Sequence, residues 1–452
     1  MITSREVALN VLQALETGKQ RSDQLLHRTL QHTPLNRVDR ALATGLVNGV
    51  LRYRLQLDFI ISRYYLHKLE KAAPVLKNIL RLGVYQIVFL DKVPDWAAVN
   101  ECVKLARKYK GDRMSKLVNG VLRKITPQSV TIDEWLEGKK PEERLSVKYS
   151  HPLWLVERWI AAYGLKKTED ILIYNNQFPV FGFRVNRLKT SERELFSDPA
   201  FSMAACEESG IENFFLSKDF NAFEPAVTDG RLSVQNPTQG LACLLLNPVP
   251  GNTVLDLCAA PGGKSTFMAE LMQNSGAITA LDLYEQKLLK TSVHSEALGI
   301  TIITTVSADG RNFTPDKPPD AILLDAPCTG TGVLGRRAEL RWKLTPETLK
   351  ELISLQMELL DHAAELLDIN GILVYATCSI EPEENSMQVE AFLQRHPDFI
   401  ADPDGGKVPE QFLKKKDVKG ALCTLPGEYP GFDGGFCQRL RKSGRRPNGH
   451  AS

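Results

Sequence analysis

A chain of 452 residues is too long for one ordinary domain, and its 43% hydrophobic and 24% charged residues make a globular mixture that excludes wholesale disorder. No apolar run approaches the roughly 20 residues of a membrane span, and residues 1–6 lack a signal core, so a cytoplasmic chain is expected. The net charge of +2 hides an asymmetry: residues 1–125 hold 22 Lys and Arg against 10 Asp and Glu, a net +12, which leaves −10 for the remainder. That split points to a polyanionic partner for the first part of the chain.

Residues 4–125 read as all-helical, with periodic apolar positions such as Val7, Val11, Leu12 and Leu15, then Leu42, Leu46, Val50. Breaks at Thr33-Pro34, Ala73-Pro74, Val93-Pro94 and Lys110-Gly111-Asp112 suggest about seven helices. Leu46-Val47-Asn48-Gly49-Val50-Leu51-Arg52 recurs as Leu117-Val118-Asn119-Gly120-Val121-Leu122-Arg123, from either a duplication or a repeated packing solution. Basic residues pair with aromatics in Arg52-Tyr53-Arg54, Arg63-Tyr64-Tyr65 and Arg107-Lys108-Tyr109-Lys110. Each cluster reads as phosphate contacts or as a solvated helix face.

Residues 131–149 form a charged connector. A helical stretch from Pro152 to near Gly164, an alternating strand at 180–186 and another at 232–236 make a small α/β module over 150–235. Its Arg184 and Asn186 are candidates for RNA contact. From 236 to 442 strands alternate with helices: strands at 253–257, 277–281, 301–306, 321–324 and 372–375, helices at 237–246, 263–273, 285–298 and 346–367. This alternation predicts a doubly wound sheet with helices on both faces. Residues 443–452 are a polar tail expected to be disordered.

Three strand ends then carry the chemistry. The strand at 253–257 runs into Cys258-Ala259-Ala260-Pro261-Gly262-Gly263-Lys264, a Gly-rich turn whose backbone lets a ligand approach closely. It is neither the G-x-G-x-x-G of dinucleotide enzymes nor a full phosphate loop, and Asp256 ahead of it suits a zwitterionic ligand better than a triphosphate. Asp282 ends the next strand, placed to accept from a ribose diol, and Asp309 follows the third, placed to accept from an adenine amine; either is also a common helix cap. Cys328, in Asp325-Ala326-Pro327-Cys328, and Cys378, in Thr377-Cys378-Ser379, lie just past the carboxyl ends of two more strands, the edge where open α/β sheets bind ligands. The cysteines at 102, 206, 243, 258, 328, 378, 423 and 437 stand singly with no C-x-x-C pair, so no metal is expected, and Cys102, Cys206 and Cys243 read as small buried hydrophobes.

The DxCAAPGGK turn, the DAPC strand end and the TCS strand end, in this order, closely resemble the NOL/NOP/Sun family of RNA cytosine-5 methyltransferases, over nearly the whole chain. The resemblance implies a NusB-like helical RNA-binding domain over 1–130, the small α/β subdomain, and a Rossmann-like class I methyltransferase domain over 236–442. It implies S-adenosylmethionine bound by residues 258–264 (Cys258, Ala259, Ala260, Pro261, Gly262, Gly263, Lys264) with Asp282, Asp309 and Asp325. It also implies Cys378 as the nucleophile on carbon 6 of cytosine, Cys328 as the residue that assists release, and Asp325 on the ring's N3 and amine. The NusB-like domain points to 16S rRNA as substrate of a monomeric enzyme; methylation of tRNA or 23S rRNA, or a catalytically silent assembly factor, are the alternatives. Residues 335–343, basic with Trp342, fit phosphate clamping and stacking beside a flipped base. The family often has Pro at 338 and Asp at 236, where this chain has Ala338 and Asn236, and Asp433-Gly434-Gly435-Phe436-Cys437 departs from the more usual DGFF-type ending.

Overall fold

The computed structural model describes residues 2–18, 20–203, 206–403, 406–413 and 420–444; most of the tail expected at 443–452 lies outside them. The chain divides into two units, Met1–Gln177 with Arg336–Lys343, and Phe178–Gly335 with Leu344–Ser452.

The first unit is helical: α1 (Ser4–Thr17), α2 (Ser22–Gln31), α3 (Arg37–Tyr64), α4 (Pro74–Phe89), α5 (Asp95–Leu122), α6 (Ile132–Trp135), α7 (Pro141–Tyr149), α8 (Leu153–Tyr163) and α9 (Leu165–Asn176). Thr3 and Asn36 cap α1 and α3 by accepting from Glu6 N and Asp39 N, and Pro74 opens α4 where its missing N–H costs nothing. Both long helices are kinked, α3 at Tyr53 and α5 at Gly111, whose φ of 78° ends the regular helix. Counted across those kinks, the described residues of 4–122 hold seven α-helical pieces, as many as the sequence reading counts, but the Tyr53 kink coincides with none of the breaks read from sequence. Leu9, Leu46, Val50, Ile79, Leu82, Val118 and Leu122 share one core. The two copies of the seven-residue echo pack differently: a Cβ on Gly49 would strike the Tyr85 ring, whereas Gly120 faces open space. Residues 150–177, placed in the small module by the sequence reading with one helix from Pro152 to near Gly164, group with this unit and hold two helices, α8 and α9.

Two sequence expectations change here. Residues 336–343 belong to the helical unit, where Arg341 is fully buried and donates to Arg52 O (3.0 Å), Asn176 Oδ1 (2.8 Å), Asn175 O (2.6 Å) and Ser150 O (3.3 Å). Trp342 Nε1 donates to Leu51 O. These side chains pin the segment instead of clamping a substrate. The aromatics of the basic clusters are half-buried with partners inside the unit: Tyr53 stacks on Phe89 at 4.3 Å, Tyr64 bonds Ser129, and Tyr109 bonds Glu6 and Asn10.

The second unit holds two sheets. The small one is antiparallel in the order β2-β3-β1-β4, from β1 (Phe181–Val185), β2 (Cys206–Glu208), β3 (Phe214–Ser217) and β4 (Leu232–Val234), with α10 (Glu192–Ser197) and α11 (Phe220–Thr228). Phe183, Phe215 and Phe223 fill its core.

The large sheet runs β10-β12-β9-β8-β5-β6-β7, with β11 paired to β12. Its parallel strands are β5 (Thr253–Leu257), β6 (Ala277–Asp282), β7 (Ile303–Ser307), β8 (Ala321–Asp325) and β9 (Ile372–Thr377). The antiparallel β10 (Phe399–Ala401), β11 (Leu422–Thr424) and β12 (Gly435–Lys442) complete one edge. Helices α12 (Pro237–Leu246), α13 (Gly263–Leu271) and α14 (Glu285–Leu298) alternate with strands, followed by α15 (Pro346–Leu366), α16 (Ser386–Arg395) and α17 (Glu410–Leu413). Alternate residues feed two cores: Val254, Ile278, Leu323 and Val374 join Leu245 and Met268, whereas Leu255, Ile322, Leu324 and Leu373 join Leu360 and Phe392. Strand order reverses between β5 and β8, which puts a switch point between the Gly-rich turn and Asp325. The atypical ending is accommodated: β12 pairs with β9 in register, Phe436 opposite Thr377 and Cys437 opposite Ala376. No helix among the described residues is long and apolar enough to cross a membrane.

Candidate active site

The turn after β5 is built by backbone conformations that few sequences tolerate. Cys258 has φ of 67° and Gly262 of 93°; Ala259 N donates to Leu281 O and Gly262 N to Ala259 O. A side chain at Gly262 would strike Thr291, so glycine is required there both for conformation and for space. Asp282, ending β6, accepts from Ala260 N (3.3 Å) and Tyr284 N (3.0 Å), tying the turn to the next strand.

Asp256 departs from the expectation that it faces a ligand. It is fully buried and accepts from Ser265 Oγ at 2.6 Å, and burial pushes its carboxyl up to about 7. Its role is to hold the first turn of α13. Arg184 and Asn186, expected at RNA, are buried too. Arg184 donates to Glu270 Oε1 (2.7 Å), Thr266 Oγ1 (3.1 Å), Gly263 O (3.1 Å) and Gln235 Oε1; Asn186 Nδ2 donates to Gly230 O and Leu298 O. Sequence gave no sign of this support, because its members lie as far apart as 184 and 270. Asp309 is held by Arg311, whose guanidinium approaches to 2.7 Å and lowers the carboxyl to about 2.

The structure brings the chemistry-bearing residues of β8, β9 and α13 together. Lys264 Nζ and Asp325 Oδ2 pair at 2.6 Å; burial works to lower the lysine, and the Asp325 charge outweighs it and holds the ammonium above its usual value. Cys328 Sγ and Cys378 Sγ are 3.4 Å apart. The contact with Cys378, burial, and the carboxylates of Glu384 and Asp325 all raise the Cys328 thiol well above its ordinary value. Lys264, Asp325 and Cys378 line one cleft with Thr238, Asp433 and Gly434.

Comparison with known proteins follows the same outline. The model described as 16S rRNA methyltransferase RsmB/F matches residues 243–441, the NusB family model matches 2–127, and the RsmF/B-like ferredoxin-like domain model matches 151–198. A Bacillus subtilis (strain 168) protein described as a probable ribosomal RNA small subunit methyltransferase B is 35% identical over 97% of this chain and 99% of its own. The chain belongs to the RsmB/F methyltransferase family. An Escherichia coli O7:K1 ribosomal RNA small subunit methyltransferase B is 34% identical over 89% of this chain and 91% of its own. Among solved structures, PH0851 superposes with a TM-score of 0.79 at 27% identity, covering 98% of this chain and 99% of that one. A methyltransferase homolog from Pyrococcus horikoshii gives 0.56 at 27% identity, over 67% of this chain and 98% of its own.

As an RsmB/F methyltransferase, the chain uses S-adenosylmethionine. The residues fit that group: the backbone at Gly262 and Gly263 carries no side chain, a Cβ on Gly263 would meet nothing closer than 3.8 Å, and Asp282 sets a carboxylate beside the same turn. Asn236, at a position where the family often has Asp, both accepts from Thr238 N and donates to Gly431 O at 2.8 Å; a carboxylate could make only the first bond. Among the described residues no group of three or more His, Cys, Asp or Glu is arranged to hold a metal ion. Cys102 and Cys243 are buried as expected, but Cys206 is only partly so.

Proposed function

We propose that the protein methylates carbon 5 of a cytosine in 16S rRNA through a transient bond between Cys378 and carbon 6. The observation that carries this reading is the contact of two thiols at 3.4 Å beside the Lys264–Asp325 pair. Cofactor contact is assigned to Cys258, Ala259, Ala260, Pro261, Gly262, Gly263, Lys264, Asp282, Asp309 and Asp325. S-adenosylmethionine supplies the methyl group.

Carbon 5 of cytosine is a weak nucleophile until a thiolate adds at carbon 6 and makes the ring an enamine. Cys378 Sγ forms that bond. Asp325, oriented by Lys264, accepts from the exocyclic amine and the protonated N3, favouring the ring form that takes the thiolate. After carbon 5 has gained its methyl group, its proton passes to solvent water, the C5–H electron pair becomes the C5=C6 bond, and the C6–S bond breaks with its pair returning to Cys378. Cys328, in contact with that sulfur, assists the release. The substrate assignment draws on the small-subunit rRNA relatives and on the +12 charge of residues 1–125, since cationic surfaces supply affinity for a phosphate backbone.

The deciding experiment is transfer of labelled methyl from S-adenosylmethionine to purified RNA, with the product mapped at nucleotide level. Label at carbon 5 of a cytosine in small-subunit rRNA is expected. Label confined to tRNA or 23S rRNA would move the substrate, and no transfer to any RNA would leave a silent binding factor.

A further inference from the structure

Glu384 is a fully buried carboxylate whose side-chain partners are neutral donors. Oε1 accepts from Thr329 N and Gln356 Nε2, both at 2.9 Å, and Oε2 accepts from Thr329 Oγ1. Thr329 Oγ1 lies 3.1 Å from Ser379 Oγ, which lies 3.1 Å from Thr331 Oγ1. All three hydroxyls are buried, and the chain alternates between the turn that carries Cys328 and the turn that carries Cys378.

The direction of this chain is fixed by counting protons. Each hydroxyl has one to give. Thr329 gives its proton to the carboxylate, so Ser379 must donate to Thr329, and Thr331 must donate to Ser379. Backbone donors fill the remaining acceptor sites: Glu381 N on Ser379 Oγ and Ile380 N on Thr331 Oγ1, each at 3.0 Å. Two further bonds close the seam, Gly332 N to Cys378 O (3.0 Å) and Tyr375 OH to Glu384 O (2.6 Å).

Charge is distributed unequally around the facing sulfurs. Lys264, paired with Asp325, lines the cleft that Cys378 lines, whereas Glu384 is held against the turn of Cys328 through Thr329 N and through Gln356, which also donates to Pro327 O. A carboxylate on one side and an ammonium on the other favour the proton on Cys328 and the negative charge on Cys378. We propose that Glu384 is a positioning residue that locks the two cysteine turns together and keeps the shared proton on Cys328, leaving Cys378 as the thiolate. This rests on the reading of Cys378 as nucleophile, and it names the group that makes the two thiols unequal.

The test is alkylation of the full-length protein with iodoacetamide under native conditions, with the peptides carrying Cys328 and Cys378 quantified by mass spectrometry. The wild-type protein is expected to label at Cys378 first, by roughly tenfold or more over Cys328. Glu384→Gln keeps the shape and removes the charge, so the preference falls toward parity, while kcat for methyl transfer drops on the order of tenfold with KM for RNA unchanged. An unchanged labelling ratio in Glu384→Gln overturns the proposal. Should that variant fold poorly, Thr329→Val serves instead: it strips one donor from the carboxylate but leaves its charge beside Cys328, so the preference stays at or above the wild-type value, and a fall toward parity overturns the proposal. Wild-type protein that labels at Cys328 first would refute the nucleophile assignment itself, an outcome visible before any variant is made.

Discussion

The guanidinium of Arg184 and the carboxylate of Glu270 meet at 2.7 Å with both side chains fully buried, joining β1 of the small sheet to α13, the helix that starts at the Gly-rich turn. Burial nevertheless raises the Glu270 carboxyl, because desolvation outweighs the pull of Arg184. Removing one member leaves the other charge stranded. Arg184→Met is therefore expected to destabilise the protein by about 3–5 kcal/mol, and pairing it with Glu270→Leu to restore much of that. Denaturant midpoints of the two singles and the double measure it; a single substitution costing under about 1 kcal/mol would show that the pair is solvated.

The roles of the facing sulfurs separate in their variants. Cys378→Ala cannot form the C6–S bond, and methyl transfer should fall by about 10³-fold or more. Cys328→Ala can form the bond but releases it slowly, so protein and RNA should accumulate as a covalent complex that survives denaturing electrophoresis. Accumulation in Cys378→Ala instead would exchange the two assignments.

What could be read in advance was local. The strand ends are legible to within two residues: the apolar patterning stops at 257, 324 and 375, and the strands run to 257, 325 and 377 because Asp325 still pairs with Ala376 and Thr377 with Phe436. The buried cations were not legible. Arg184 and Arg341 stand in stretches that look like exposed basic strand and loop, and the groups that neutralise or solvate them lie 86 and up to 289 positions away. Asp256 differs for a related reason: a carboxylate ahead of a Gly-rich turn suggests a ligand, whereas here its partner is Ser265, in the first turn of α13. Glu384 and Asn385 were legible as a motif only; the hydroxyl chain that gives them a purpose requires Thr329 and Ser379 in three dimensions.

Arg341 makes its segment part of the helical unit. Its four oxygen acceptors are buried backbone carbonyls and one amide oxygen, and burial, with Arg52 nearby, lowers the guanidinium to about 9. Arg341→Met removes every donor at once and leaves those oxygens dry. A loss of about 3–5 kcal/mol in the unfolding of the helical unit is expected. Hydrogen exchange at α3 and α9 should rise with it, and unchanged protection there would show that the segment is not pinned.

The buried carboxyl of Asp256 gives stability a pH dependence opposite to that of ordinary salt-bridged acids. Burial raises it to about 7, with the charges of Asp325 and Asp282 adding to the effect and Ser265 and Lys264 opposing it. In the unfolded chain the same group titrates near about 4. Between about pH 4 and 7 the folded protein therefore holds a proton that the unfolded chain has released. Stability from this group is full below the unfolded value and is lost as pH rises through the folded one, by up to about 4 kcal/mol. Asp256→Asn keeps an acceptor for Ser265 and removes the titration. The difference in unfolding free energy between variant and wild type, followed from about pH 5 to 8, isolates the group from the other carboxyls. That difference should shift in the variant's favour from about pH 5 and level off above about pH 7, and a constant offset would mean that Asp256 is ionised throughout.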